Sequence, residues 1–180
     1  MRVELEPARR SGTLGTDFGD EPTFLLTPHA LTVGVISVDV RARLLPDAPD
    51  YARGFVGLAY RIQDDGAAFE CIYLRPANGR MHAPPPPRDR RAVQHFAFPD
   101  WKFDRLRDVA SDRHEAGADI ALDRWHRLEV GLTATETIAR VDGTEVLRVA
   151  PLAAVRPGRV GLWVDIGTEG WFADLRITLA

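Results

Sequence analysis

Apolar and polar positions alternate along much of this chain. Ile36, Val38, Val40, Ala42 and Leu44 alternate with Ser37, Asp39, Arg41 and Arg43. A period of two is what a strand with one buried face requires, and it predicts a half-buried strand within residues 31–45. The same reading predicts strands over 92–98, 125–132, 158–166 and 171–179, with a short one at Phe24–Thr27. In residues 158–166, Val160, Leu162, Val164 and Ile166 share one face, while Trp163 and Asp165 share the other. The helical period of 3.6 is nearly absent; helix is confined, at most, to residues 101–110.

Two Asp-Gly pairs sit between apolar runs, and each predicts a hairpin, because a type I′ turn needs positive φ at both central residues. One is Asp142-Gly143, within 138–149. The other, Asp65-Gly66, joins Gly54–Gln63 to Phe69–Leu74 and anchors the centre of the chain. With those two residues at the turn's centre, Arg61 faces Glu70, Ile62 faces Phe69, Tyr60 faces Cys71 and Leu58 faces Tyr73. The last three pairs are apolar and predict the core face. Arg61, Ala59, Glu70 and Ile72 then lie on the opposite face, with Arg61 and Glu70 forming a cross-strand ion pair. The strand ends at Arg75-Pro76, since proline donates nothing to a ladder, and Asn78-Gly79 reads as a turn.

Many short strands, regular turns and no convincing amphipathic helix point to an all-β fold, an antiparallel two-sheet β-sandwich of the jelly-roll kind. Residues 22–180 read as one sandwich domain. Residues 1–21 are polar, broken by Pro7, Gly12, Gly15 and Gly19, and read as an N-terminal arm or edge strand. Four consecutive prolines, 84–87, stiffen residues 81–92 into a surface loop.

Composition changes this picture little. A chain of 180 residues with 45% hydrophobic and 27% charged content can bury a sizeable core. The net charge of −3 gives no electrostatic footprint for nucleic acid. No apolar run approaches the roughly 18 residues of a membrane helix, and no signal core is present at the start. Compartment and oligomeric state are not legible. The single cysteine, Cys71, excludes an internal disulfide and reads as a buried hydrophobe.

The candidate chemistry clusters around the central hairpin. Arg61 and Glu70 on a groove floor would hydrogen-bond hydroxyls, and Arg75, Asn78 and Arg80 would form a polar rim. The competing reading has Arg75 pinning the proline-rich loop through Asp104 or Asp108. Gln94 and His95 stand on the next strand, and His95 or Glu70 would supply proton transfer in an enzyme. Trp163, opposite an aliphatic face, is expected to point outward as a stacking platform, while Trp125 and Trp171 are expected to pack. His126 reads as a packed core-edge histidine. No phosphate-binding loop, nucleophile elbow or His-Glu-x-x-His occurs.

Several stretches together carry a family resemblance: 57–65 (Gly-Leu-Ala-Tyr-Arg-Ile-Gln-Asp-Asp), 69–78 (Phe-Glu-Cys-Ile-Tyr-Leu-Arg-Pro-Ala-Asn), 92–95, 99–107 (Pro-Asp-Trp-Lys-Phe-Asp-Arg-Leu-Arg), 123–126 and 158–164. In this order they resemble bacterial domains of the concanavalin-A-like lectin/glucanase superfamily, in its laminin-G-like and 3-keto-disaccharide-hydrolase-like branches. The resemblance implies a jelly roll with its ligand on the concave sheet or rim loops, and carbohydrate as ligand. It implies a candidate structural Ca2+ ligand at Asp174 and no required cofactor. It leaves three functions open: a carbohydrate-binding module, an enzyme acting on a glycoside or keto-sugar, and an interaction domain using the proline-rich loop. The alternating carboxylates of retaining glucanases, Glu-x-Asp-x-x-Glu, are missing here, which argues against that activity.

Overall fold

The computed structural model describes residues 1–10, 19–63, 66–110 and 112–179. The strands are β1 (Arg2–Glu4), β2 (Phe24–Leu31), β3 (Gly34–Leu44), β4 (Val56–Ile62), β5 (Phe69–Leu74) and β6 (Val93–Phe98). After helix α1 (Phe103–Ala110) come β7 (Glu115–Ala116), β8 (His126–Leu132), β9 (Thr137–Val141), β10 (Thr144–Val149), β11 (Gly158–Val164) and β12 (Thr168–Leu179). They form two antiparallel six-stranded sheets, ordered β1-β12-β3-β8-β9-β10 and β2-β11-β4-β5-β6-β7. The all-β sandwich is therefore as the alternation predicts. No helix among the described residues is long and apolar enough to cross a membrane.

The alternating faces meet between the sheets. Ile36, Val38, Val40 and Ala42 pack there against Val56, Leu58, Tyr60, Ile72 and Leu74, with Leu128, Val130, Val160, Leu162 and Val164. His126 is buried at the edge of this layer, its Nδ1 2.8 Å from Asp142 Oδ2. The hairpin at Asp142-Gly143 forms as expected, both residues having positive φ, 50° and 82°.

The central hairpin forms in a different register. Tyr60 faces Glu70, Ala59 faces Cys71, Leu58 faces Ile72 and Gly57 faces Tyr73. Asp64 and Asp65 lie outside the described residues, so the turn type expected there is not described. The one-residue offset matters because a slip of one moves each side chain to the other face. Arg61 takes up the difference: its φ of 53° breaks the alternation and turns its side chain to the face carrying Glu70. Gly158 makes room, since a Cβ there would lie 2.4 Å from the Arg61 carbonyl carbon.

The expected division of faces is corrected as a result. Cys71 and Tyr73 are buried, but on the far side of their sheet, away from Tyr60. Glu70 and Ile72 look into the sandwich and are themselves buried. Both faces of this sheet are covered. A second core of Ala59, Ile62, Phe69, Cys71, Tyr73, Phe96 and Trp163 lies under Leu106 of α1, with Phe24, Phe55, Phe98, Trp101 and Leu152 packed on it.

Trp163 thus overturns the expectation of an outward ring: it is 0% exposed, and its Nε1 donates to the Glu21 carbonyl at 2.9 Å. Alternation assigns the face correctly; the covering comes from residues distant in sequence. Trp125, expected to pack, is 49% exposed. Trp171 is half-buried, with the guanidiniums of Arg41 and Arg43 5.0 and 5.2 Å from its ring centre.

Candidate functional site

The covered face of the second sheet carries a row of side chains in strand order: Phe24, Trp163, Gly57, Tyr73, Gln94 and Glu115. Gly57 is the gap in that row. A Cβ there would sit 2.6 Å from the Tyr73 Cβ, and without it the Tyr73 and Trp163 rings meet at 4.7 Å. One step towards the sheet's end, Arg75 follows Tyr73 and Asp165 follows Trp163 on the same face. A pocket of about 260 Å3 opens there, lined by Tyr51, Arg53, Phe55, Tyr73, Arg75 and Asn78, by Asp20 and Asp165, and by Arg88, Arg91, Phe103 and Arg107.

Glu115 organises one wall. Its carboxylate accepts from Arg75 Nη1 at 2.5 Å and from Arg107 at 2.6 and 2.9 Å, with Arg91 Nε 3.1 Å away. Burial acts to raise the Glu115 pKa, but the hydrogen bond from Arg107 and the charge of Arg75 outweigh it and hold the group below its ordinary value. Arg75 also donates to the Tyr73 hydroxyl and to Gln94 Oε1, both at 2.7 Å. Burial opposes its charge, yet Tyr73 and Glu115 hold its pKa above the ordinary value. Asn78 donates to the Arg91 carbonyl at 3.0 Å, while its buried Oδ1 has no hydrogen-bond partner.

Two carboxyls stand opposite. Burial pushes Asp20 up to about 7, with Asp165 adding to the rise and Arg75 opposing it. Burial likewise pushes Asp165 up to about 6 against hydrogen bonds from the backbone of Ile166, Asp20 and Gly19. Asp20 Oδ2 accepts from the Phe103 N–H at 2.7 Å, which ties the start of α1 to the pocket.

The residues singled out in the sequence divide between two places. Arg75 and Asn78 line the pocket, and Gln94 supports Arg75 from behind. Arg80 does not converge with Arg75: it is exposed and pairs with Asp119 at 3.3 Å. The partner of Arg75 is Glu115, where the competing reading looked to Asp104 or Asp108. Trp163 lies beneath the pocket floor against Tyr73.

Arg61, Glu70 and His95 do converge, but inside the sandwich. Glu70 accepts from Arg61 Nη1 at 2.8 Å and from the Leu152 N–H at 3.0 Å, and its Oε2 lies 3.1 Å from His95 Nε2. His95 Nδ1 is 3.2 Å from His114 Nδ1, and Arg61 also donates to the Thr32 and Thr133 carbonyls. Burial acts to raise the Glu70 pKa, and His95, the Leu152 N–H and Arg61 more than offset it. Burial and His95 press His114 down to about 4. A hollow of about 220 Å3 touches Arg61 and Glu70 from outside, yet both Glu70 oxygens are already engaged. The arrangement is a satisfied buried network, which fixes the position of β4, β5 and β6.

Asp174 lies on the other sheet at a bulge in β12, φ 50°, where Arg127 and Arg176 hold its carboxylate at 3.3 and 2.9 Å. Among the described residues no group of three or more His, Cys, Asp or Glu side chains is placed to hold a metal ion.

The pocket residues not singled out in the sequence include Asp20, Tyr51, Arg53, Phe55, Arg88, Arg91, Phe103, Arg107 and Asp165, with Glu115 behind them. They come from separate stretches of the chain, none with a local motif. Only the placing of Asp165 beside Trp163 on one face was visible beforehand.

With this geometry in view, solved structures supply the class of fold. The chain resembles carbohydrate binding module CBM66 from Bacillus subtilis with a TM-score of 0.61, 14% identity, and coverage of 84% of this chain and 78% of that one. It resembles galectin LEC-6 from Caenorhabditis elegans with a TM-score of 0.51 at 10% identity, over 88% of this chain and 94% of that one. The β-glucanase of Bacillus licheniformis gives 0.52 at 11% identity, over 84% and 68% respectively. The fold is thus the concanavalin-A-like, galectin-like sandwich. No family model and no curated protein matches the chain.

Proposed function

We propose that this protein binds carbohydrate, with the ligand held in the pocket over the end of β5 and β11. The observation that carries the reading is the pairing of aromatic walls with unspent hydrogen-bonding capacity. Tyr51, Phe55, Tyr73 and Phe103 offer ring surface, and Asn78 Oδ1 is buried without a partner beside them. A sugar has apolar C–H faces and hydroxyls that both donate and accept, so it matches both features. The volume of about 260 Å3 falls below the roughly 300–1,000 Å3 of sites for drug-sized ligands and suits a single sugar unit. Sugar binding by relatives of the same fold supports the reading by analogy.

The test is a glycan array followed by calorimetric titration of the best ligand. Phe103→Ala and Asn78→Ala should each weaken binding about tenfold or more, with circular dichroism unchanged. Binding that survives both substitutions would put the ligand elsewhere.

One observation favours a second reading, an enzyme acting on a glycoside. Asp20, held at about 7 by burial, would keep a proton to give to a leaving oxygen. Release of reducing ends that disappears in Asp20→Asn would establish it.

A further inference from the structure

The charges around the pocket do not balance. Five arginines line it: Arg53, Arg75, Arg88, Arg91 and Arg107. Glu115 pairs with Arg75, Arg91 and Arg107, one negative charge against three positive ones. Asp20 and Asp165, kept up to about 7 and 6 by burial, contribute little negative charge at mildly acid pH. Arg53 and Arg88 are left over. Arg53 donates only to the carbonyls of Asp50 and Ala52, at 2.5 and 2.6 Å, and neither residue has a carboxylate partner among the described residues. Arg88 is half-buried at the foot of the proline-rich loop. Both arginines line the same pocket. Burial first, then the charges of Arg88 and Arg75, hold the Arg53 pKa below its ordinary value against the opposing charge of Asp50.

Two like charges kept together beside apolar rings are costly unless something of opposite sign occupies the space between them. A guanidinium is a planar fork that matches an oxyanion with two parallel hydrogen bonds. We propose that the pocket takes an acidic sugar, whose anionic group lies between Arg53 and Arg88 while its ring rests against Phe103 and Tyr73. A carboxylate is the smallest oxyanion a sugar unit carries, which suits the limited space. The inference rests on the carbohydrate-binding reading above and narrows its ligand class. Arg53 and Arg88 become its specificity-determining residues, and the proline-rich loop gains a role, since the 3-10 turn that follows its prolines carries Arg88.

The experiment is isothermal titration with galacturonate and glucuronate, their neutral parents galactose and glucose, glucose 6-sulfate, and acetate. The uronates are expected to bind at least about tenfold more tightly than their parents, and their affinity to fall as salt is raised. Arg53→Gln and Arg88→Gln are each expected to remove that preference, bringing the ratio of uronate to neutral-sugar affinity down to about one. The salt dependence in the unaltered protein stands as evidence even if one variant fails to fold. A sulfate ester outbinding both uronates would replace the carboxylate by another oxyanion and overturn that part. Neutral sugars binding as tightly as uronates would overturn the acidic-ligand proposal and leave carbohydrate binding standing. Acetate binding without any sugar, or no binding at all, would overturn both.

Discussion

At the scale of single residues, Asp20 has the most measurable consequence. The groups facing it are Arg75, Asp165, the Tyr73 hydroxyl and the Phe103 N–H. Its folded value of about 7 lies above its ordinary 3.8, so between those limits the folded protein holds a proton that the unfolded chain has released. Stability contributed this way is full below about pH 4 and is lost as pH rises through 7. At about 1.36 kcal/mol per unit, the whole window is worth on the order of 4 kcal/mol. Asp20→Asn cannot ionise. Its melting temperature should therefore decline less steeply than that of the unaltered protein between pH 4 and 7. Parallel melting curves over that range would show that burial does not perturb Asp20. None of this was visible in the sequence, where Asp20 stood in a polar arm and nothing nearby marked it as buried.

At the scale of elements, β5 is the piece that joins the two sides of its sheet. Its even positions feed the buried network around Glu70, and its odd positions build the pocket floor through Tyr73. That both faces are buried explains why the central hairpin misled: alternation shows which residues share a face, but with apolar residues on both faces it does not show which face is inner. The bulge at Arg61 added one residue that no pattern revealed. The network it enters is structural, and its response to substitution should say so. Glu70→Gln leaves the Arg61 guanidinium, 3% exposed, without its counter-charge, and should cost about 3–5 kcal/mol in denaturant unfolding. Arg61→Met with Glu70→Leu removes both charges and should cost clearly less than the single change. A double loss equal to the sum of the losses of Arg61→Met and Glu70→Leu made singly would mean the pair is not coupled. Arg75, by contrast, was marked by the Arg-Pro and Asn-Gly signals and does line the pocket, although its partner Glu115, forty residues on, was not marked by any.

At the scale of the whole molecule, the chain closes the first sheet with its own start. Residues Arg2–Glu4 pair with Thr168–Leu179, the Met1 amino group donates to the Phe172 carbonyl at 2.6 Å, and Leu5 is buried in the core. Removing residues 1–6 bares the β12 edge and opens the core under Leu5. The shortened protein should melt at lower temperature and scatter light on heating, because an open edge pairs with other chains. A truncated form that melts like the full chain and stays clear would show that the edge is guarded elsewhere. The sandwich itself was legible because strand alternation and turn residues are local signals. The pocket was not, because it is assembled from the arm, the central hairpin, the proline-rich loop, α1 and β11, and only closure of the sheets brings these together.

The gap at Gly57 lets a fluorescent indole lie directly under the pocket floor. Trp163 is screened from solvent and touches Tyr73, whose hydroxyl is bound by Arg75 in the pocket wall. Trp125 is half in water on a different part of the surface. The buried indole therefore emits at the short-wavelength end of the protein's fluorescence, and a water-borne quencher reaches Trp125 first. With Trp125 quenched, emission remains from Trp163 beneath the site and from the half-buried Trp101 and Trp171, so a ligand in the pocket should shift the Trp163 part of that signal.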